Sequence, residues 1–201
     1  MQDEPPKALV DELASTFTKS DGDLRAVYRK LFTSPQFWAD EAYGAKVKKP
    51  LELAVSAIRA AGATYDGSPA LVKRVAKLGE PLYECQPPTG YKDTADVWVN
   101  AGGLVNRINF GLDLGAGRIH GVKIDTEALS AGSPDGDLSA TVDRMASGIL
   151  DTPLRATTQT TIVSALQSSD QHPKADYHDP TPTMAPKIVG LLVGSPEFQK
   201  R

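Results

Sequence analysis

The residues best equipped for chemistry lie in one run, Asp170-Gln171-His172-Pro173-Lys174-Ala175-Asp176-Tyr177-His178-Asp179. Imidazole and carboxylate together suit zinc or manganese. Their spacing matches no closed motif such as H-E-x-x-H, in which two histidines share one helix face. A segment broken by proline does not hold ligands in place as a helix face does, so the run reads as a solvated loop with no metal site. His120, in Arg118-Ile119-His120-Gly121, has no acid near it in sequence and reads as a surface or packing residue. Asp21-Gly22-Asp23 and Asp135-Gly136-Asp137 are faintly like calcium loops. The twelfth position of such a loop needs glutamate, and here it holds Phe32 or Ala146. Both triplets read as helix starts instead. Cys85 lacks the neighbouring base that would make its thiolate reactive. Lys46, Lys48 and Lys49 read as a solvated basic run. The chain contains no G-x-S-x-G, Walker A or dinucleotide fingerprint, so no cofactor is expected.

One stretch is less ordinary. Between Leu78 and Phe110 the aromatics Tyr83, Tyr91 and Trp98 stand among Pro87, Pro88 and Gly90, with Asn106, Arg107 and Asn109 behind them. Aromatic rings and amides on an irregular segment can line a groove for a sugar or a peptide. In that reading Trp98 stacks on the ligand, and Arg107 pairs with an anion or a carboxylate. The alternative is that Tyr83 and Trp98 anchor the loop to the core, while Arg107 ties it to a helix end. The candidate binding residues are therefore Tyr83, Tyr91, Trp98, Asn106, Arg107 and Asn109, with both roles open.

The elements that must position these residues show helical periodicity, with almost no strand alternation. Apolar stripes run through Leu9–Phe17, Leu24–Phe32, Leu51–Ala61, Leu71–Leu78, Leu104–Leu112, Leu138–Ile149, Thr158–Leu166 and Met184–Leu192. The fifth is weakened by Gly102, Gly103 and Gly111. Asp23 and Asp137 suit N-caps. Four Ser-Pro pairs, at Ser34, Ser68, Ser133 and Ser195, read as helix starts with proline in the first turn. Residues 39–49, 84–100 and 168–186 read as loops. The expectation is an all-α fold, an irregular bundle of seven or eight helices with long loops, forming a single helical domain over residues 1–201. Strand is expected only as short pairs.

Composition bounds what such a domain can do. The chain has 201 residues, 40% of them apolar, which suffices for a hydrophobic core. A net charge of −3 lacks the basic excess of a nucleic-acid surface. One cysteine excludes an internal disulfide. No apolar run approaches the roughly 20 residues of a membrane span.

Four passages in order resemble a bacterial family, domain of unknown function 1800. Lys46-Val47-Lys48-Lys49-Pro50-Leu51-Glu52 with Ala57-Ile58-Arg59-Ala60 is similar to its lysine-proline helix start. Leu78-Gly79-Glu80-Pro81-Leu82-Tyr83 with Pro87-Pro88-Thr89-Gly90 resembles its L-G-Q-P-L-F…P-P…G-W segment, although Tyr91 stands where the family has tryptophan and the Lys92–Val97 spacer is acidic. Trp98-Val99-Asn100, Leu104, Arg107, Asn109 and Phe110 resemble its tryptophan and R-x-N-F stretch. Ser195-Pro196-Glu197-Phe198-Gln199 is similar to its closing motif.

These motifs belong to the C-terminal half of the family pattern. The resemblance therefore implies a preceding half rich in histidine and glutamate, and an exported or envelope location. The chain is expected to be a helical structural or binding half of a larger protein, without catalytic activity alone and with apolar surface left exposed. Its partner would be that missing half or another chain, with a polysaccharide or peptide as possible ligand. The alternative is the substrate-binding half of a hydrolase-like enzyme whose catalytic residues lie upstream.

Overall fold

A computed structural model describes residues 2–133, 136–170 and 184–201. Eight helices of eight residues or more follow the eight apolar stripes: α1 (Lys7–Lys19), α2 (Leu24–Phe32), α3 (Pro50–Ala60), α4 (Ala70–Lys77), α6 (Ala101–Gly115), α8 (Leu138–Ile149), α9 (Ala156–Asp170) and α10 (Met184–Gly194). Three shorter helices join them: α5 (Ala95–Trp98), α7 (Thr126–Ser130) and α11 (Pro196–Gln199). The fold is mostly all-α. Among the described residues its sheet is one antiparallel pair, β1 (Thr64–Tyr65) with β2 (Val122–Lys123), in which Thr64 faces Lys123 and Tyr65 faces Val122.

The helix starts follow local chemistry. Asp23 accepts a hydrogen bond from the Arg25 N–H at 2.9 Å, and Asp137 accepts one from Ala140 at 2.9 Å. Each satisfies an N-terminal amide that has no partner within the helix. The Ser-Pro pairs divide. Ser195 caps α11 by accepting from Phe198 N–H. The Ser34 hydroxyl instead donates to Leu31 O at 2.7 Å, and the Ser68 hydroxyl donates to His120 O at 3.1 Å. These two serines fasten neighbouring segments and leave the following helix uncapped by a side chain. The partner of Ser133, Pro134, lies outside the described residues.

The core gathers Leu53 and Ala57 of α3, Val75 of α4, Phe110 and Leu114 of α6, Val142 and Met145 of α8, Ile162 and Leu166 of α9, and Ile188, Val189 and Leu192 of α10. α10 is buried over most of its length, as its nearly unbroken apolar sequence requires. It crosses α6 at unusually close range, because glycines face each other. A Cβ on Gly111 would stand 2.6 Å from Gly190 O, and one on Gly190 would stand 2.9 Å from Leu112 Cα. A Cβ on Gly115 would run into Pro186 O.

The expected loops hold more order than their sequences suggest. Segment 39–49 contains a 3-10 turn at Asp40–Ala42 and a bridge from Val47 to Lys200. Segment 84–100 contains α5. At the third, α9 continues to Asp170 and α10 begins at Met184; residues 171–183 lie outside the described residues.

α1 and α2 form a hairpin linked by Lys30 and Glu12 at 2.8 Å. Only Leu9 of α1 is buried, and no residue of α2 is. Phe17, Leu24, Tyr28 and Phe32 remain 49%, 58%, 54% and 50% exposed, and Trp38 just beyond them 71%. The aromatic rings contact one another: Tyr28 stacks on Phe32 at 6.0 Å, Phe32 meets Phe37 edge-on at 5.1 Å, and Phe37 meets Trp38 at 5.0 Å.

Candidate functional site

Helical geometry separates the three polar residues of α6. Arg107 shares the inward face with Phe110, Gly111 and Leu114, whereas Asn106 and Asn109 are exposed. Arg107 is only 1% exposed. Its guanidinium donates from Nη1 to Gln199 Oε1 at 2.7 Å and from Nη2 to Lys48 O at 2.6 Å. Its Nε is buried without a partner. Burial lowers its pKa, against a weaker opposing pull from Glu80. An arginine stays charged under such a shift, so the interior holds a cation whose hydrogen-bond partners are the neutral Gln199 Oε1 and Lys48 O.

Gln199 completes the arrangement. Its side-chain amide donates to Val193 O at 2.8 Å, and its backbone carbonyl accepts from Lys48 N–H at 2.8 Å. Segment 46–48 is thereby stitched to segment 199–201, with Lys46 and Arg201 also exchanging both backbone bonds. Nearby, buried Glu80 accepts from Leu51 N–H at 2.8 Å, placing a carboxylate at the N-terminus of α3. The partial positive charge of that terminus favours it. The lysine-proline start, the Glu80 segment, the R-x-N-F stretch and the closing motif, far apart in sequence, thus meet in one place.

Lys48 departs from the reading of its run as solvated. Its side chain is pinned beneath the surface, 9% exposed, with Nζ 3.9 Å from the ring centroid of Phe198. No hydrogen bond or ion pair reaches Nζ among the described residues. Burial lowers its pKa, while Asp151 and Glu52 pull the other way. Lys46 is partly covered too, paired with Asp3 at 3.1 Å and Asp93 at 2.5 Å. No sequence signal distinguished Lys48 from Lys46 and Lys49, because its burial depends on Phe198 and Gln199 arriving from the other end of the chain.

Two hollows are both lined by Lys48, Asp151 and Phe198. One of about 470 Å³ adds Arg155, Glu197, Lys200 and Arg201; the other, of about 670 Å³, adds Leu51, Val55 and Ile149. Glu197 accepts from Arg155 at 2.6 Å and Thr158 at 2.9 Å, while its Oε2 is buried without a partner. Burial opposes its charge, yet Arg155, its backbone and Thr158 outweigh this and hold its carboxyl below the usual range.

The remaining sequence candidates fall in two groups. Trp98, 5% exposed, donates from Nε1 to Lys92 O at 3.1 Å. Tyr91 meets it edge-on at 6.1 Å and donates its hydroxyl to Pro81 O at 2.7 Å. Tyr83 stands apart, fully exposed and at φ 64°, a strained conformation for a residue with a Cβ. Asn106 donates to Lys77 O at 3.3 Å at the end of α4, and lines a hollow of about 380 Å³ with Asn109, Arg74 and Asp113. Tyr91 and Trp98 are brought together, as are Asn106 and Asn109. Arg107 points away from both pairs. Of the metal-capable run, residues 171–179 lie outside the described residues; among the described ones no group of three or more histidine, cysteine or acidic residues could hold a metal. No described helix is long and apolar enough to cross a membrane.

A family model described as "Protein of unknown function (DUF1800)" matches residues 1–200. No curated protein matches, and no solved structure does.

Proposed function

We propose that this chain, which belongs to the DUF1800 family, is the helical structural and binding half of a larger protein, and that the α1–α2 hairpin with the turn after it receives the preceding part of that protein. The observation that carries this reading is the row Phe17, Leu24, Tyr28, Phe32 and Trp38, each about half exposed or more. Soluble surfaces scatter large apolar residues singly, and contiguous exposed rows mark interfaces. Aromatics are the side chains most enriched at interface centres. The occupant is taken to be the same protein because all four motif matches belong to the later part of the family pattern.

The motif residues themselves support a structural role. Arg107, Gln199, Glu80 and the Lys48 backbone satisfy one another inside the molecule. Their work is to close the C-terminal turn onto the start of α3 and fix the bundle that presents the hairpin. Exported or envelope placement remains attached to the family resemblance alone, and a polysaccharide or peptide ligand to the aromatic and amide residues of the Tyr83–Asn109 stretch.

The test is hydrogen exchange on two proteins: residues 1–201, and the product of the gene's entire reading frame. The reading predicts that amides of α2 and of residues 33–38 exchange at least about tenfold more slowly in the longer product, since burial against a partner raises the local opening free energy. Equal exchange in the two, or a reading frame that starts at Met1, contradicts it.

A further inference from the structure

The Lys48 amine is an unusual group for a protein interior. Lysine is almost never buried unless paired, and here Lys48 is only 9% exposed while Nζ has no hydrogen-bond or ion-pair partner among the described residues. Its position is not accidental slack. The Lys48 N–H donates to Gln199 O, its carbonyl accepts from Arg107, and its ammonium sits on the Phe198 ring. Backbone and side chain are held from three directions, so the amine is preorganised where it borders both hollows.

Most charges of the smaller hollow are already paired, whereas Arg59 at the larger one has no ion pair among the described residues. In the smaller hollow Arg155 is tied to Glu197 at 2.6 Å, and Arg201 is tied to Glu52 at 3.0 Å and Asp93 at 3.2 Å. Lys200, exposed at the rim, has no ion pair among the described residues. Asp151 is the acid left facing Lys48, and it does not come within ion-pair distance. The larger hollow supplies Leu51, Val55, Ala60 and Ile149 as apolar wall, with Glu52, Ser56 and Arg59 among them. Both volumes lie within the ~300–1,000 Å³ typical of small-molecule sites.

We infer that Lys48 is the anchor of a binding site for a small organic carboxylate, whose charged end meets the Lys48 amine above Phe198 and whose apolar body lies along Leu51, Val55 and Ile149. The incoming carboxylate supplies the missing hydrogen-bond partner and restores favour to the charged amine that burial disfavours. Asp151 works against it, which sets a ceiling on affinity and gives the site a testable sign. The site shares no residue with α1–α2 and stands or falls separately from the docking role.

The experiment is a titration of the full chain, followed by amide NMR, with hexanoate, 1-hexanol and inorganic phosphate as probes. Hexanoate is expected to shift the amides of Lys48, Val55, Asp151 and Phe198 saturably. Phosphate, lacking the apolar body, and hexanol, lacking the charge, should bind at least about tenfold more weakly. Lys48→Met, which keeps the buried stem, should weaken hexanoate by about tenfold or more while leaving hexanol unchanged. Should Lys48→Met unfold, Asp151→Asn provides the second arm, because removing the opposing charge should tighten hexanoate severalfold. Hexanoate binding that Lys48→Met leaves unchanged, equal binding of hexanol, or weaker binding to Asp151→Asn would overturn the assignment. So would the absence of saturable shifts.

Discussion

At the residue scale, Arg107 makes clear what a polar motif residue can be doing when it is not touching a ligand. Its two bonds join α6 to the segment before α3 and to the C-terminal turn. Truncation would leave Gln199 Oε1 and Lys48 O without that donor and open a cavity beside Phe110. Arg107→Ala should therefore cost about 3 kcal/mol, and Arg107→Met less, because the stem packing survives. Urea unfolding of both variants measures this, and a loss below about 0.5 kcal/mol for the alanine would speak against it. From sequence, Arg107 as ligand contact and Arg107 as tie were both open, the tie ahead, since both call for a charged fork. Only the position of Gln199, 92 residues away, separates them. Lys46 gives a second prediction at this scale. Its hydrogen bond to Asp93 is the main reason the lysine pKa lies above 10.5, and the same bond holds the Asp93 carboxyl below 3.8. The aspartate's contribution to stability is present above pH 3.8 and lost as pH falls through the depressed value; the lysine's is present below pH 10.5 and lost as pH rises through the elevated one. The stability gap between the parent and Asp93→Asn should hold across neutral pH and narrow at both extremes. A gap that widens in acid would contradict the pairing.

At the element scale, the eight long helices were legible because each carries a continuous 3.6-residue stripe, and α2 and α8 carry their aspartate caps in the expected place. What periodicity could not show is why α6 contains so many small residues. Gly111 looked like a weakness in that helix. In the fold it is the reason α6 survives, because Gly111, Gly115 and Gly190 let α6 and α10 approach closer than side chains allow. The loss of intrinsic helix propensity, about 1 kcal/mol per glycine relative to alanine, is recovered in backbone packing. Gly111→Ala and Gly190→Ala should each destabilise by about 1–3 kcal/mol. Gly148 of α8, where a Cβ would meet nothing within 4 Å, is the matched control. Gly148→Ala should raise stability by about 0.5–1 kcal/mol. Thermal unfolding of the three variants checks both signs, and a destabilised Gly148→Ala or a neutral Gly190→Ala would refute the packing argument. The short helices α5 and α7 escaped the sequence reading because four or five residues cannot display a full stripe, and of α11 only the Ser195-Pro196 start was legible.

At the scale of the whole molecule, two regions differ in how completely they satisfy themselves. α3, α4, α6 and α8 to α10 enclose a common core, and the motif residues close upon one another within it. The α1–α2 hairpin presents an aromatic row that none of the described residues covers. The α2 stripe that reads in sequence as a core face therefore lies outside it, and no single-sequence pattern distinguishes a face buried by the chain itself from one buried by another segment. Substituting Tyr28, Phe32 and Trp38 with serine should leave urea stability within about 1 kcal/mol, since these rings bury little here, yet abolish docking. The docking claim is tested most directly by placing a photoreactive benzoylphenylalanine at Phe32 in the product of the entire reading frame. Irradiation followed by peptide mapping identifies what lies against that ring. The account predicts an intramolecular crosslink to residues preceding Met1. Crosslinks confined to residues 2–201, or only to other chains, would contradict it.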